Sequence, residues 1–194
     1  LGDVYKRQAI EKIEGQTLIE RAIDRLSLLA NEVIVVVNSE ERALSLCLPD
    51  HVKTAIDIYP SKGSLGGIYT GVLASNHEWN IVVACDMPFL NTELLQYQME
   101  FASKYDAVVP KFNQLQALHA VYGRSCISSI ENLFNQNRNQ AIQSLLPLVN
   151  VLYLEKSDIL TYDPKGKSFF NVNTKDDLEL AVYNLDQDNK DNYR

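Results

Sequence analysis

Two short, unbroken apolar runs, Val33 to Val37 and Ile81 to Cys85, restrict the architecture of this chain more than any other feature. Each is too short for a typical helix and does not alternate with polar residues, so each reads as a strand covered on both faces. Apolar residues elsewhere recur at helical spacing. Leu18, Ile19, Ala22, Ile23, Leu26 and Leu29 form one stripe across Thr17 to Leu29. Strand and helix then alternate, which predicts an α/β domain with a mostly parallel sheet and right-handed crossovers.

The remaining elements follow from period and punctuation. A strand is expected over Glu32 to Asn38, a helix within residues 39–46 before Pro49, and a weaker strand over Val52 to Asp57. The segment Tyr59-Pro60-Ser61-Lys62-Gly63 forces a loop, and a helix runs from near Leu65 toward Ala74. A helix over 92–103 follows, with Asn91 or Thr92 as cap and Glu93 in its first turn. Ala107 to Val109 and Leu118 to Tyr122 are short strands, Ile127 to Phe134 a helix, residues 135–140 a polar loop, and Val149 to Leu154 a strand. A last helix spans Lys175 to Asn184, and residues 186–194 form a flexible tail with little to bury. The first eight residues, LGDVYKRQ, have no initiator Met and read as a truncated or artificial start, with a processed terminus as the alternative. Residues 9–185 are expected to form one domain.

At 194 residues and 46% hydrophobic composition, the chain can bury one substantial core. Its net charge of -7, without a basic arm, argues against a nucleic-acid partner. An anionic ligand would have to be met by backbone N–H groups, a lysine or a divalent cation. Cys47, Cys85 and Cys126 are widely spaced and read as reduced, mostly buried thiols. No apolar run is long enough to span a membrane and no leader is recognisable, so a cytoplasmic protein without a membrane partner is expected.

The chemistry-bearing residues gather at strand ends. Asp86 follows the second apolar run, where an unpaired buried charge would cost several kcal/mol, so it belongs at the strand mouth with a partner or a cation. Asn38 and Asp57 follow two other strands, and parallel strands bring all three to one rim, where α/β sheets bind ligands. Turn capping explains Asn38 and Asp57 equally well. The glycines of PSKGSLGGIYTG, residues 60–71, let N–H groups approach an anion or a base edge, or simply permit tight packing. The segment is neither a phosphate-loop nor a dinucleotide fingerprint. Magnesium suits the carboxylate of Asp86 with water and phosphate oxygens. In FFNVNTKDDLELA, Thr174 and Asp177 have capping-box spacing, while Asn171 and Asn173 could face the same rim as Asp86. His119 in LQALHAVY lies on a strand and either packs structurally or lines a substrate surface.

Taken together, PSKGSLGGIYTG, VVACDMPFL and FFNVNTKDDLELA resemble the molybdenum cofactor guanylyltransferase family. The resemblance implies a three-layer, Rossmann-like nucleotidyltransferase fold. It implies transfer of GMP from GTP to molybdopterin with release of pyrophosphate. It implies nucleotide contacts at Asn38, Asp57 and the run Gly63, Ser64, Leu65, Gly66 and Gly67, with Ser64 in place of the usual proline. Asp86 matches the carboxylate for magnesium and phosphate, and Asn171 and Asn173 match the segment where the pterin approaches. Ala117 in Gln116-Ala117-Leu118-His119 replaces a proline of the family. Family members open with a first strand and a glycine-rich loop followed by a lysine; here that loop is absent and Gln8 stands at the lysine position, so weak binding and little catalysis are expected. Cofactor-synthesis proteins or a molybdoenzyme are the implied protein partners. A molybdopterin cytidylyltransferase, a sugar nucleotidyltransferase or a noncatalytic nucleotide- or partner-binding protein are the competing readings.

Overall fold

The computed structural model describes residues 9–136 and 141–192, with side chains of the last helix through Gln187. The readings of LGDVYKRQ and Gln8, and of residues 137–140 in the polar tract, lie outside the described residues. The described chain begins with an antiparallel hairpin that the apolar pattern did not announce, β1 (Lys12–Ile13) and β2 (Gln16–Thr17). Helix α1 (Leu18–Ser27) starts where the sequence places it, because Thr17 caps it. The Thr17 hydroxyl accepts the Glu20 N–H, and the Glu20 carboxylate accepts the Thr17 N–H at 2.8 Å. Such a reciprocal cap contributes about 1 kcal/mol.

Next come β3 (Val33–Val37), α2 (Glu40–Ser45) and β4 (Val52–Ile56), with β3 and β4 paired in parallel. Helix α3 (Gly63–Ala74) leads to β5 (Trp79–Val83) and α4 (Thr92–Met99). The second half supplies β6 (Ala107–Phe112), β7 (Gln114–Leu115), β8 (His119–Gly123), α5 (Cys126–Asn135), β9 (Val151–Leu154), α6 (Lys156–Tyr162) and α7 (Lys175–Asn192). In the larger sheet β8 lies antiparallel between β5 and β6, while β9 runs parallel to β6. Thus β5, β6 and β9 share one direction and β8 alone opposes them among these long strands.

Alternation along the strands builds two cores. Ala107, Val109, Ala120 and Tyr122 pack with Leu65, Ile68 and Val72 of α3 and Ile130 of α5. Val108 and Val121 point the other way, against Leu94 of α4 and Ile159 of α6. A helix layer on each face is the three-layer arrangement that unbroken apolar strands require.

Several boundaries differ from the sequence reading. β5 begins and ends earlier than Ile81 to Cys85, because its ladder with β8 stops at Val83. Helix α4 stops at Met99, and a separate 3-10 turn covers Ala102–Lys104. Helix α7 continues through Asn192, past the expected end at Asn184 and into the segment read as a tail. Of the cysteines only Cys126 is buried; Cys47 and Cys85 are exposed, which corrects the expectation of mostly buried thiols.

One carboxylate joins the amino ends of three strands. Glu32, just before β3, accepts the backbone and side-chain N–H groups of Asn76 at 3.0 Å each and pairs with Lys53 on β4. The Lys53 ammonium and the Asn76 backbone N–H pull its carboxyl down to about 2. The carboxylate side chain is 9% exposed against 55% for Lys53, so the bond is sheltered on one side only and its worth is modest. Because the folded pKa is depressed, this stabilisation is full above the ordinary value of 4.5 and is lost as pH falls toward about 2. Glu32→Gln is expected to lower the melting temperature at neutral pH by a few degrees and to flatten the acid limb of a pH series of thermal melts.

Candidate active site

The rim beyond β3, β4 and β5 carries Asn38, Asp57 and Asp86, and Asp57 ties it together. Its N–H donates to the Val37 carbonyl at 2.7 Å, locking the loop to the end of β3. Its Oδ1 accepts the Tyr59 N–H at 2.9 Å and the Thr70 hydroxyl at 3.1 Å. Thr70 Oγ1 in turn accepts the Ile58 N–H at 3.0 Å. One oxygen of Asp57 therefore organises the turn, as capping predicts, and no partner is recorded for the other among the described residues.

Glycine is required where α3 meets this turn. A Cβ on Gly66 would stand 2.4 Å from the Tyr59 carbonyl oxygen and 3.2 Å from Asp57 Oδ1. Gly63 adopts φ 58, which lets the chain swing from the 3-10 turn Pro60–Lys62 into the helix. Leu65 points into the core, fully buried, so it can offer a ligand only its backbone. The Lys62 ammonium sits 5.6 Å from the centre of the Phe134 ring.

Asp86 is half-buried, and its Oδ1 is enclosed without a hydrogen-bond partner. Burial pushes its carboxyl above the ordinary value, only partly offset by its own backbone N–H. The Val172 N–H donates to the Asp86 carbonyl at 2.9 Å, clipping the Asn171–Asn173 segment beside it. Asn171 Oδ1 is likewise buried and without a partner. Two enclosed acceptors lacking donors invite an electropositive occupant. Among the described residues no group of three or more His, Cys, Asp or Glu side chains could hold a metal, so a cation here would rely on one carboxylate, amide and backbone oxygens, water and ligand phosphate.

A cavity of about 1020 Å³ brings Ser64, Gly67 and Asp86 onto shared walls with Val36 and Cys85. Asn38, Asp57, Gly63, Gly66 and Asn171 are not among the residues that line it. Asn173 donates its N–H to Asp177 at 3.0 Å and serves the cap of α7, and its side chain is exposed. Cys85 is surrounded by protein although solvent reaches it, and this burial, with Asp86 beside it, pushes its thiol up to about 11. His119 does not line a substrate surface. It is fully buried, with Nδ1 3.1 Å from the Gln98 amide and its ring against Phe169, and burial pushes it down to about 4, so it is neutral.

Two residues escaped sequence reasoning. Thr70, the second bracket of Asp57, was signalled only by a hydroxyl inside an apolar helix. Arg21 gave no signal; its Nε is buried without a partner, beside Ala22, which packs with Met87 just past Asp86.

Fold and rim define an α/β nucleotidyltransferase. Residues 6–150 match the MobA-like NTP transferase domain. The chain is 33% identical to the "Probable molybdenum cofactor guanylyltransferase" of Methanosarcina acetivorans, over 90% of this chain and 82% of that one. The molybdopterin-guanine dinucleotide biosynthesis protein A of Archaeoglobus fulgidus superposes with a TM-score of 0.81 at 26% identity, covering 93% of this chain and 91% of that one. The 2-C-methyl-D-erythritol 4-phosphate cytidylyltransferase of Thermus thermophilus shares the fold, with a TM-score of 0.67 at 16% identity over 91% and 92% of the two chains. The chain belongs to the molybdenum cofactor guanylyltransferase family.

Asp57→Ala should cost about 1 to 2 kcal/mol by leaving the buried Thr70 hydroxyl and the partly buried Tyr59 N–H without their acceptor, whereas Asp57→Asn retains an acceptor and should melt close to the parent. For Asp86 the folded pKa is raised, so its ionised form burdens the fold above that pKa, and the burden is absent below the ordinary value of 3.8. Metal-free Asp86→Asn should therefore melt higher than the parent at neutral pH, with the difference vanishing in strong acid.

Proposed function

We propose that this protein transfers GMP from GTP to molybdopterin, forming molybdopterin guanine dinucleotide and pyrophosphate. The observation that carries the reading is the pair of enclosed, unpartnered oxygens of Asp86 and Asn171 on one rim with the glycine-started helix α3. In the reaction, a terminal phosphate oxygen of molybdopterin attacks the α-phosphorus of GTP. A new phosphorus–oxygen bond forms as the bond to the bridging oxygen breaks, and the electron pair leaves with pyrophosphate.

Asn38, Asp57 and the stretch Gly63 to Gly67 position the nucleotide, the last through backbone N–H groups that no side chain screens at Gly67. Asp86, with Asn171 beside it, would hold magnesium. When bound, the cation offsets charge developing on the phosphate oxygens. A second cleft of about 410 Å³ is walled by Phe89 and Phe170, which follow Asp86 and precede Asn171 in the chain, and by Phe112 with Lys165 and Lys167. Aromatic walls with cations suit a planar heterocycle bearing a phosphate, which supports the approach of the pterin past Asn171 and Asn173. Hand-over to cofactor-synthesis proteins or a molybdoenzyme in the cytoplasm completes the proposal. No helix among the described residues is long and apolar enough to cross a membrane.

Competition binding tests the base preference: GTP should displace a labelled guanine nucleotide at least tenfold more effectively than CTP. With magnesium and molybdopterin present, Asp86→Asn should reduce transfer on the order of a hundredfold. Unchanged transfer by that variant at subsaturating magnesium would reject the role given to Asp86, and preference for CTP would make the protein a cytidylyltransferase.

A further inference from the structure

The segment between α6 and Asn171 is wound around one carboxylate. Asp163 follows the last residue of α6 and is only 7% exposed. Its Oδ1 accepts the Lys167 N–H at 3.1 Å, its Oδ2 accepts the Ser168 N–H at 2.8 Å, and its carbonyl accepts the Gly166 N–H at 3.0 Å. Three consecutive amides therefore turn toward one residue. Gly166 makes the turn possible: it adopts φ 63, and a Cβ there would stand 2.3 Å from Phe112 Cζ. The ends of the segment are tied down as well. Asn91 Nδ2 donates to the Tyr162 carbonyl at 2.9 Å, and the Val172 N–H donates to the Asp86 carbonyl at 2.9 Å.

Closing a turn does not by itself call for a buried carboxylate, since a neutral Ser or Asn acceptor costs less to bury. What the carboxylate adds is a second acceptor oxygen, so that two neighbouring N–H groups are gathered at once by charge-assisted bonds. The consequence is where the side chains of the turn stand. Ser168 is fully buried and the Phe169 ring packs against His119 and Phe112, which anchors one side of the segment in the second core. Lys165, Lys167 and Phe170 are left on the wall of the 410 Å³ cleft, with the Lys167 ammonium 5.8 Å from the centre of the Phe89 ring. Asp163 itself is not among the residues lining that cleft. We propose that Asp163 is a positioning residue for the acceptor substrate: by holding the turn it sets Lys165 and Lys167 so that a pterin bearing a phosphate is selected over one without. Lysine is a point charge on a flexible stem, so its aim depends on how firmly its backbone is fixed. The proposal rests on the reading of this cleft as the approach of the pterin.

A fluorescent pterin carrying a phosphomonoester, and the same pterin without phosphate, are titrated separately into the full chain. The parent should bind the phosphorylated form about tenfold more tightly. Asp163→Asn turns an NH₂ toward one of the two N–H groups and should cut that preference to about twofold, leaving the affinity for the unphosphorylated pterin unchanged. Amides of Lys167 and Ser168 should exchange on the order of tenfold faster in this variant, while the paired amides of β6 do not change. A merely structural role would weaken both pterins alike, and that result overturns the proposal. The double variant Lys165→Gln, Lys167→Gln alters the wall without the turn; it should lose the preference while the turn amides stay protected. A preference kept by Asp163→Asn and lost by the double variant overturns the positioning role and leaves the cleft reading standing. A preference absent in the parent, or kept by the double variant, overturns the cleft reading and the positioning role with it. Should Asp163→Asn fail to fold, Gly166→Ala strains the same turn against Phe112; a preference kept there overturns the proposal equally.

Discussion

Covering the sheet on both faces is the constraint from which the rest of this structure follows. Once α3 and α5 occupy one side and α4 and α6 the other, residues such as Val108 and Val109 must both be apolar although they point in opposite directions. The covered strands then leave little room for polar side chains away from their ends, Asn80 on β5 and the buried His119 on β8 being exceptions. Glu32 stands at the amino end and Asn38, Asp57 and Asp86 beyond the carboxyl end, and the two groups do different work. Glu32 is fully bonded and holds strands together. Asp86 keeps an unpartnered oxygen, which makes poor structural sense and good sense for binding.

Residues read from the sequence as one kind of site divide between those whose groups the fold uses and those whose groups it leaves unused. Leu65 and one oxygen of Asp57 belong to the scaffold, and the backbone of Asn173 belongs to a helix cap. Asp86, Asn171, Ser64 and Gly67 retain surface or valence that the fold does not use. The division matters for interpreting variants, since an Asp57 change disturbs the turn as well as any ligand, whereas an Asp86 change relieves the fold of a cost. A protein that tolerates such a cost at its rim does so because something other than stability is selected there.

The elements that were legible are those with strong periods. The Val33 to Val37 run and the stripe of α1 gave β3 and α1 nearly to the residue, since a strong apolar period fixes an element and the Thr17 cap seen in the structure starts α1 at the same place. The hairpin β1–β2 was not legible because two-residue strands carry no period. Helix α6 was hidden because KSDILTY presents one short turn of apolar residues after a polar start. His119 was legible only as a choice: alternation in LQALHAVY located β8 correctly, but a single sequence does not say whether the polar member of an alternating strand faces a ligand or a second core, and the packing alternative is the one that holds. Here it faces Gln98 inside the second core, and the amide makes its burial tolerable.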